Sequence, residues 1–365
     1  PPVSDGGEHQ LHLRLVEIVA ELLEGAFEIV PGDRPEIEIG HRLLGTALHG
    51  KGKLLEAKQQ LELSLQLYVP ERDAATTHQF GQSTEVHTKS ALSGVLFCLG
   101  DVDRSLELGA DALLSADVLR HPHSTAIPLT YVGGWIFGLC GASANLMHSA
   151  RRLLALAEQH RLVAFSGHGN AHLGWAMVQQ GQLENGAERI ERGVQILQSI
   201  EFRLALSGFL AILADVRRQQ GNLAAAQAAC AKAVDWISSS SFLWFEPEVR
   251  RIEALILEKT KGPDVAEEAL RNAVTCAQTL VSPVLERRCL VSLKQLLGPN
   301  RLDVEVEASL KNGQQGQDGD AKRRPARKRL TSRRVSVQKL RHIQPVPIYC
   351  KRKTAARVEH HFQGR

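Results

Sequence analysis

The chain is predicted to be all-α: a right-handed α-solenoid of about six helix-turn-helix repeats with a disordered basic C-terminal tail. Three observations lead there. A stretch recurs: Val178–Leu197 reads VQQGQLENGAERIERGVQIL, and forty residues later Arg218–Ile237 reads RQQGNLAAAQAACAKAVDWI, keeping the small and apolar residues while the charges drift. A glycine recurs as well, at Gly52, Gly100, Gly141, Gly181, Gly221 and Gly262, at intervals of 48, 41, 40, 40 and 41. Finally, the hydrophobic share is 43% with only 5% aromatic residues, and Ala and Leu dominate. That composition suits close-packed helices better than sheets, whose strands favour β-branched and aromatic side chains.

In chain order, a helix over 8–25 precedes the array. Gly52 divides the first pair, 38–50 and 53–69. The polar PERDAATTHQFGQ stretch then makes one long loop at 70–82. CLGD places Gly100 between helices 83–99 and 101–119, Gly ending the first in a left-handed conformation and Asp101 capping the second. Gly141 with Ser143 as cap divides 125–140 from 143–161, and Gly181 divides 164–180 from 182–199. Gly221 with Asn222 as cap divides 202–220 from 222–237, and Gly262 divides 245–261 from 263–280. Within these segments apolar residues fall at i, i+3, i+4 and i+7, as at Leu183, Ala187, Ile190, Val194 and Leu197. A terminal helix over 283–297 caps the stack. The domain division is therefore 1–37 for the N-terminal helix and linker, 38–297 for the array and 298–365 for the tail.

The substitution pattern identifies the packing. Counting from Gly45 as position eight of a tetratricopeptide repeat puts Gly52 at the turn, Ala57 at twenty, Leu61 at twenty-four and Ser64 at twenty-seven. The same count from Gly174 reaches Gly181, Gly186, Ile190 and Gly193, and from Ala214 it reaches Gly221, Ala226, Cys230 and Ala233. Small residues let the two helices of a hairpin approach, and the larger one fills the gap to the next hairpin. The spacing is nearer that of HEAT or armadillo units than the usual tetratricopeptide period of about 34. The small-residue signature nevertheless favours a long-helix tetratricopeptide variant over a HEAT-like one.

Three stretches, GDRPEIEIGHRLLGTALHGKG (32–52), GHGNAHLGWAMVQQGQLENGAERIERGV (167–194) and FEPEVRRIEALILE (245–258), make residues 9–297 resemble the tetratricopeptide-like region of large bacterial signalling ATPases. In that family the repeats follow a nucleotide-binding module, with an adenylate-cyclase or winged-helix DNA-binding domain often at the N-terminus. The ATPase, cyclase and winged-helix parts are absent from this chain, and Ala254 stands where such repeats carry Gly. The resemblance therefore implies a helical-repeat fold and a sensing or partner-binding role, without the activities of the missing modules.

Bulk properties narrow the classes. No run of about 18 apolar residues offers a membrane span. The opening PPVSDGGEHQ has neither the basic nor the apolar region of a signal peptide, and the lack of an initiator Met suits a fragment or processed product. No two of the six cysteines lie closer than 13 residues, so they read as reduced core thiols of a cytoplasmic protein. Residues 321–365 hold 15 Lys/Arg against Glu359 alone, net +14, while the rest holds 29 against 39 acids, net −10.

Candidate chemistry is sparse. GTALHGKG at 45–52 is a partial phosphate loop, but Gly52 stands in place of the magnesium-binding hydroxyl and the stretch reads as a helix and its turn. His168 and His172 lie four apart and could begin a zinc site, yet no third ligand is evident and core or solvated histidines are the plainer reading. Trp135, Trp175, Trp236 and Trp244 fall at helical spacing and read as core residues. No catalytic group, cofactor or metal is expected. In the tail, Arg323, Arg324, Arg327, Lys328 and Arg329 are candidate phosphate contacts for nucleic acid, although only Tyr349 and Phe362 could stack on bases. A solvated, functionless tail is the competing reading.

The expected function is that of a non-enzymatic scaffold binding a protein or peptide in the groove of the solenoid, as the sensing or partner-binding part of a bacterial regulator. First helices of such hairpins line the concave face, which makes His49, Asn170, Trp175, Gln179, Arg217 and Arg250 the candidate contacts. Two alternatives remain: nucleic-acid binding through the tail, and a fragment of an ATPase or cyclase regulator whose catalytic part lies upstream.

Overall fold

The structure, a computed structural model, describes residues 35–70, 77, 81–202, 204–240 and 242–298. The helix expected over 8–25, most of the 70–82 loop, Cys350 and the tail with Arg323, Arg324, Arg327, Lys328 and Arg329 lie outside the described residues.

Every regular element described is helical. In order these are α1 (Pro35–Gly50), α2 (Leu54–Leu67), α3 (Thr84–Cys98), α4 (Val102–Leu119), α5 (Pro122–Thr130), a π-helical segment (Tyr131–Ile136), α6 (Phe137–Leu139), α7 (Ser143–His160) and α8 (Val163–Gln179). Then come α9 (Leu183–Ser199), α10 (Leu206–Gln219), α11 (Leu223–Ser240), α12 (Glu246–Lys261), α13 (Pro263–Thr279) and α14 (Pro283–Leu297). The helices pack as adjacent pairs, each first helix against the second that follows it, with α14 against α13.

The recurrent glycines stand at the turns within the pairs, all with positive φ. At Gly181, φ is +84°, and the closing bonds run from Gly181 N–H to Val178 O (2.9 Å) and from Gln182 N–H to Met177 O (2.9 Å). This left-handed termination satisfies carbonyls that the end of α8 would leave unpaired. Asp101 and Asn222 cap the next helix, accepting from Arg104 N (3.3 Å) and Ala225 N (3.1 Å). Ser143 does not cap: it is the first residue of α7, and Ala142 holds the cap position without a side-chain acceptor.

Within a pair, contact is set by missing side chains. A Cβ on Gly174 would stand 2.5 Å from Gly186 O, and one on Gly193 would stand 2.6 Å from Gly167 O, so α8 and α9 touch backbone to backbone. Ala226, at the matching place between α10 and α11, is wholly buried. Ala226→Leu is therefore expected to overpack that crossing at about 1–3 kcal/mol, read as a lowered thermal midpoint with retained helicity. An unchanged midpoint would contradict this packing.

The third pair departs from the simple expectation of one helix over 125–140. It starts earlier, because the His121 ring accepts from Ser124 N (3.3 Å) and caps α5. It then passes through Pro128 and a π-helical turn before resuming as α6. The glycines of this stretch make room for side chains from α8: a Cβ on Gly134 would meet the His172 ring at 2.2 Å, and one on Gly138 the Trp175 ring at 2.0 Å.

The array curls until its C-terminal pairs reach its N-terminal ones. Leu243 N–H and Trp244 N–H both donate to Gly50 O, at 2.7 and 3.3 Å. Ser282 Oγ donates to Cys98 O at 2.9 Å across 184 residues of sequence. The Phe242 ring covers Gly50, Leu280 covers Gly52, and Pro283 lies against Gly100. No disulfide joins Cys98, Cys140, Cys230, Cys276 and Cys289. No described helix is long and apolar enough to cross a membrane.

Candidate functional site

The curl fills the inner side with rings. Trp135, carried inward by the π-helical segment, stacks on Phe209 (4.8 Å between centroids) and meets Trp244, Phe245, His172 and Trp175 at 5.4, 5.2, 5.2 and 6.1 Å. His168 and His172 lie 5.9 Å apart, His168 edge-on to Phe202 and both edge-on to Phe209. This is an apolar setting. Among the described residues, no group of three or more His, Cys, Asp or Glu is placed to hold a metal ion. Desolvation pushes the His168 pKa down to about 4 and that of His172 well below the usual value, so both are neutral near pH 7.

The six residues expected on the concave face do not form one row. His49 is buried against Trp244 (5.4 Å), with no hydrogen-bond partner at Nε2 and its pKa pushed to about 4 by burial. Asn170 is buried too, donating to Ser166 O (2.9 Å) and accepting from Arg189 Nη1 (3.0 Å), so it faces the partner helix α9. Arg217 pairs with Glu191 and donates to Gln220 Oε1, and Arg250 pairs with Glu246 one turn away on its own helix. Only Trp175 and Gln179 come together at an open cavity. His49 is lost to the core where Trp244 packs on it, and Asn170, Arg217 and Arg250 are engaged by Arg189, Glu191 and Glu246.

That cavity has a volume of about 430 Å³. It lies among the ends of α6, α8 and α10 and the side of α14. Trp175, Val178, Ile212 and Val216 give it apolar surface, while Gln179, Asp215, Gln219 and Arg288 supply polar groups. Gln179 is held by a bond from Nε2 to Gly138 O (2.8 Å), which leaves its buried Oε1 without a hydrogen-bond partner. A second cavity of about 340 Å³ adjoins it through Asp215 and runs past Arg218 and Arg251 toward Glu258 and Lys259.

A buried ion cluster stands between the two. Glu248 accepts from Arg251 (2.6 and 2.9 Å) and from Arg288 (2.7 and 3.0 Å), and Arg288 Nη1 also donates to Leu139 O (3.2 Å). Burial opposes ionisation of Glu248, but the two guanidinium groups outweigh it and hold the carboxyl well below the usual range. Three parts of the chain, α12, α14 and the end of α6, are thus tied at the cavity wall.

Sequence reasoning did not single out Glu248, Arg251, Arg288 or Asp215. The i,i+3 spacing of Glu248 and Arg251 in FEPEVRRIEALILE signals a local pair, but nothing local marks Arg288, forty residues on, as the third member. No protein-family model matches the chain, and no curated protein matches it. Among the described residues, fold and site together define an all-helical class of packed adjacent helix pairs with a cavity of mixed polar and apolar lining.

Proposed function

We propose that the chain is a right-handed α-solenoid of about six tetratricopeptide-like repeats that binds a segment of protein at the Trp175–Gln179 cavity. Its role on this reading is the sensing or partner-binding part of a bacterial signalling or transcriptional regulator. The observation that supports the binding site is the cavity itself, about 430 Å³, in which apolar surface from Trp175, Val178, Ile212 and Val216 lies beside the polar side chains of Asp215, Gln219 and Arg288. The volume suits one anchoring side chain of an extended segment, and Gln219 and Asp215 at the opening can engage its flanking backbone.

The test is selection of binding peptides from a displayed library, followed by titration against the Gln219→Trp variant. Gln219 is exposed at the opening, so an indole there fills the cavity without disturbing the core. Selected peptides are expected to lose about tenfold or more in affinity, at least 1.4 kcal/mol, with no change in melting temperature. Retained affinity, or a library that yields no binder, would refute the reading.

A further inference from the structure

The array has two edges. Turns within pairs, marked by Gly52, Gly100, Gly141, Gly181, Gly221 and Gly262, lie along one. The connections between pairs lie along the other. Among the described residues, the two edges meet at the ends of the array. The connection at Phe242–Phe245 docks on the first turn, with Phe242 over Gly50 and main-chain bonds from Leu243 and Trp244 to Gly50 O. The next connection, Leu280–Pro283, covers Gly52 and Gly100 and bonds through Ser282 to Cys98 O. The later turns are bare. A Cβ on Gly141, Gly181, Gly221 or Gly262 would meet nothing within 4 Å. The earlier connections are bare as well and carry large apolar side chains: Val118 is 84% exposed, Val163 50%, Ile200 and Leu204 41% each, and Leu119 38%.

The chain therefore displays, uncovered, the same two kinds of surface that it joins internally. We propose that these free edges dock between copies, head to tail, with the Val118, Leu119, Val163 and Ile200 edge of one molecule covering the Gly181, Gly221 and Gly262 turns of the next. The occupant is a second copy of this chain because the complementary surface is present on the chain itself and the internal junction supplies its pattern. At that junction, apolar side chains from a connection cover turn glycines, and donors from the connection meet carbonyls at the end of a first helix. Covering exposed apolar side chains favours the contact. The two patches differ, so the interface is heterologous and extends past a dimer unless the rotation closes a ring. Arg120, Arg161 and Glu201 follow the apolar side chains at the three helix ends, so the connection edge has a rim of mixed charge.

The experiment is sedimentation velocity on the full chain over a rising concentration series. The unaltered chain is expected to shift from monomer to dimer and longer species. Val118→Asp/Val163→Asp places charge on the exposed connection edge, and Gln180→Arg/Gln182→Arg places charge on the exposed turn edge, where docked apolar side chains would desolvate it. Each variant alone is expected to stay monomeric, and an equimolar mixture to form dimers that grow no further, since each molecule keeps one intact edge. Circular dichroism melts establish that both variants fold. A parent chain that is monomeric at every concentration, association that survives both pairs of changes, or two monomeric variants whose mixture also stays monomeric would each overturn the proposal. Association with another protein through Val118 and Val163, in place of a second copy, would likewise overturn it.

Discussion

Acidification from about pH 7 to about pH 4 is expected to open the array and expose its buried tryptophans to water. His49, His168 and His172 are buried and His87 is half-buried, and burial is the first cause of depressed pKa values at all four. His172 also faces His168, and His87 lies 3.2 Å from Arg42 and near His123, so neighbouring positive charge adds to the effect. An unfolded histidine takes its proton at about pH 6.5. Folded His49 and His168 take theirs only at about pH 4. Between those values the unfolded chain binds more protons, so stability falls as pH drops through this window. Each of these two residues removes roughly 3 kcal/mol by about pH 4, and His87 and His172 act in the same direction. Glu248 adds a later loss: its folded pKa is lowered, so its stabilisation is complete above the unfolded carboxylate value and fades as pH falls toward the folded one. Together these approach the whole stability of an ordinary domain, about 5–15 kcal/mol. The measurement is tryptophan emission and far-ultraviolet circular dichroism against pH. His49→Gln is expected to move the midpoint to lower pH. A native emission spectrum at about pH 4 would show that the ring cluster does not enclose these histidines.

Glu248→Ala is expected to destabilise the protein by about 3–5 kcal/mol, because it leaves the enclosed guanidinium of Arg251 and the half-buried one of Arg288 without their carboxylate. Glu248 and Arg251 are 4% and 12% exposed, and Arg288 holds α14 to α12 through the Glu248 carboxylate and to the end of α6 through Leu139 O. With about 2–4 °C lost per kcal/mol in a domain of this size, the thermal midpoint should fall by about 10 °C. Changing Glu248, Arg251 and Arg288 together to Met should cost much less than the single change, since no charge is then stranded. Arg250→Ala, which breaks the exposed i,i+4 pair with Glu246, should shift the midpoint little. If Glu248→Ala and Arg250→Ala had equal effects, the buried cluster would not tie these helices together.

Much of the architecture was legible in the sequence because it is local. A glycine that ends one helix in the left-handed region, a cap such as Asp101 or Asn222, and apolar residues at helical spacing all act within a few residues of themselves. The pairs from α1/α2 to α12/α13 accordingly begin and end near their expected places. The small residues at Gly174, Gly186 and Gly193 also declared themselves, because two helices joined by a tight turn must cross close to it. Even Ser143 missed its expected role by a single position.

The candidate site was half legible. Trp175 and Gln179 lie on one first helix, and the expectation that first helices line the groove placed both among the candidate contacts. Asp215, Glu248, Arg251 and Arg288 meet them from elements far along the chain, and sequence spacing carries no record of that meeting. The local alphabet of turns, caps and small residues thus determined by itself that this protein is a chain of paired helices, and where each pair lies. Only the tertiary structure decided that the array curls until Trp244 reaches His49 and Ser282 reaches Cys98. Curvature is the sum of small rotations between successive pairs. Each is set by side-chain volumes at an interface and none is marked by a motif, so whether the inner side stays an open groove or closes into a core emerges only when the whole array is assembled.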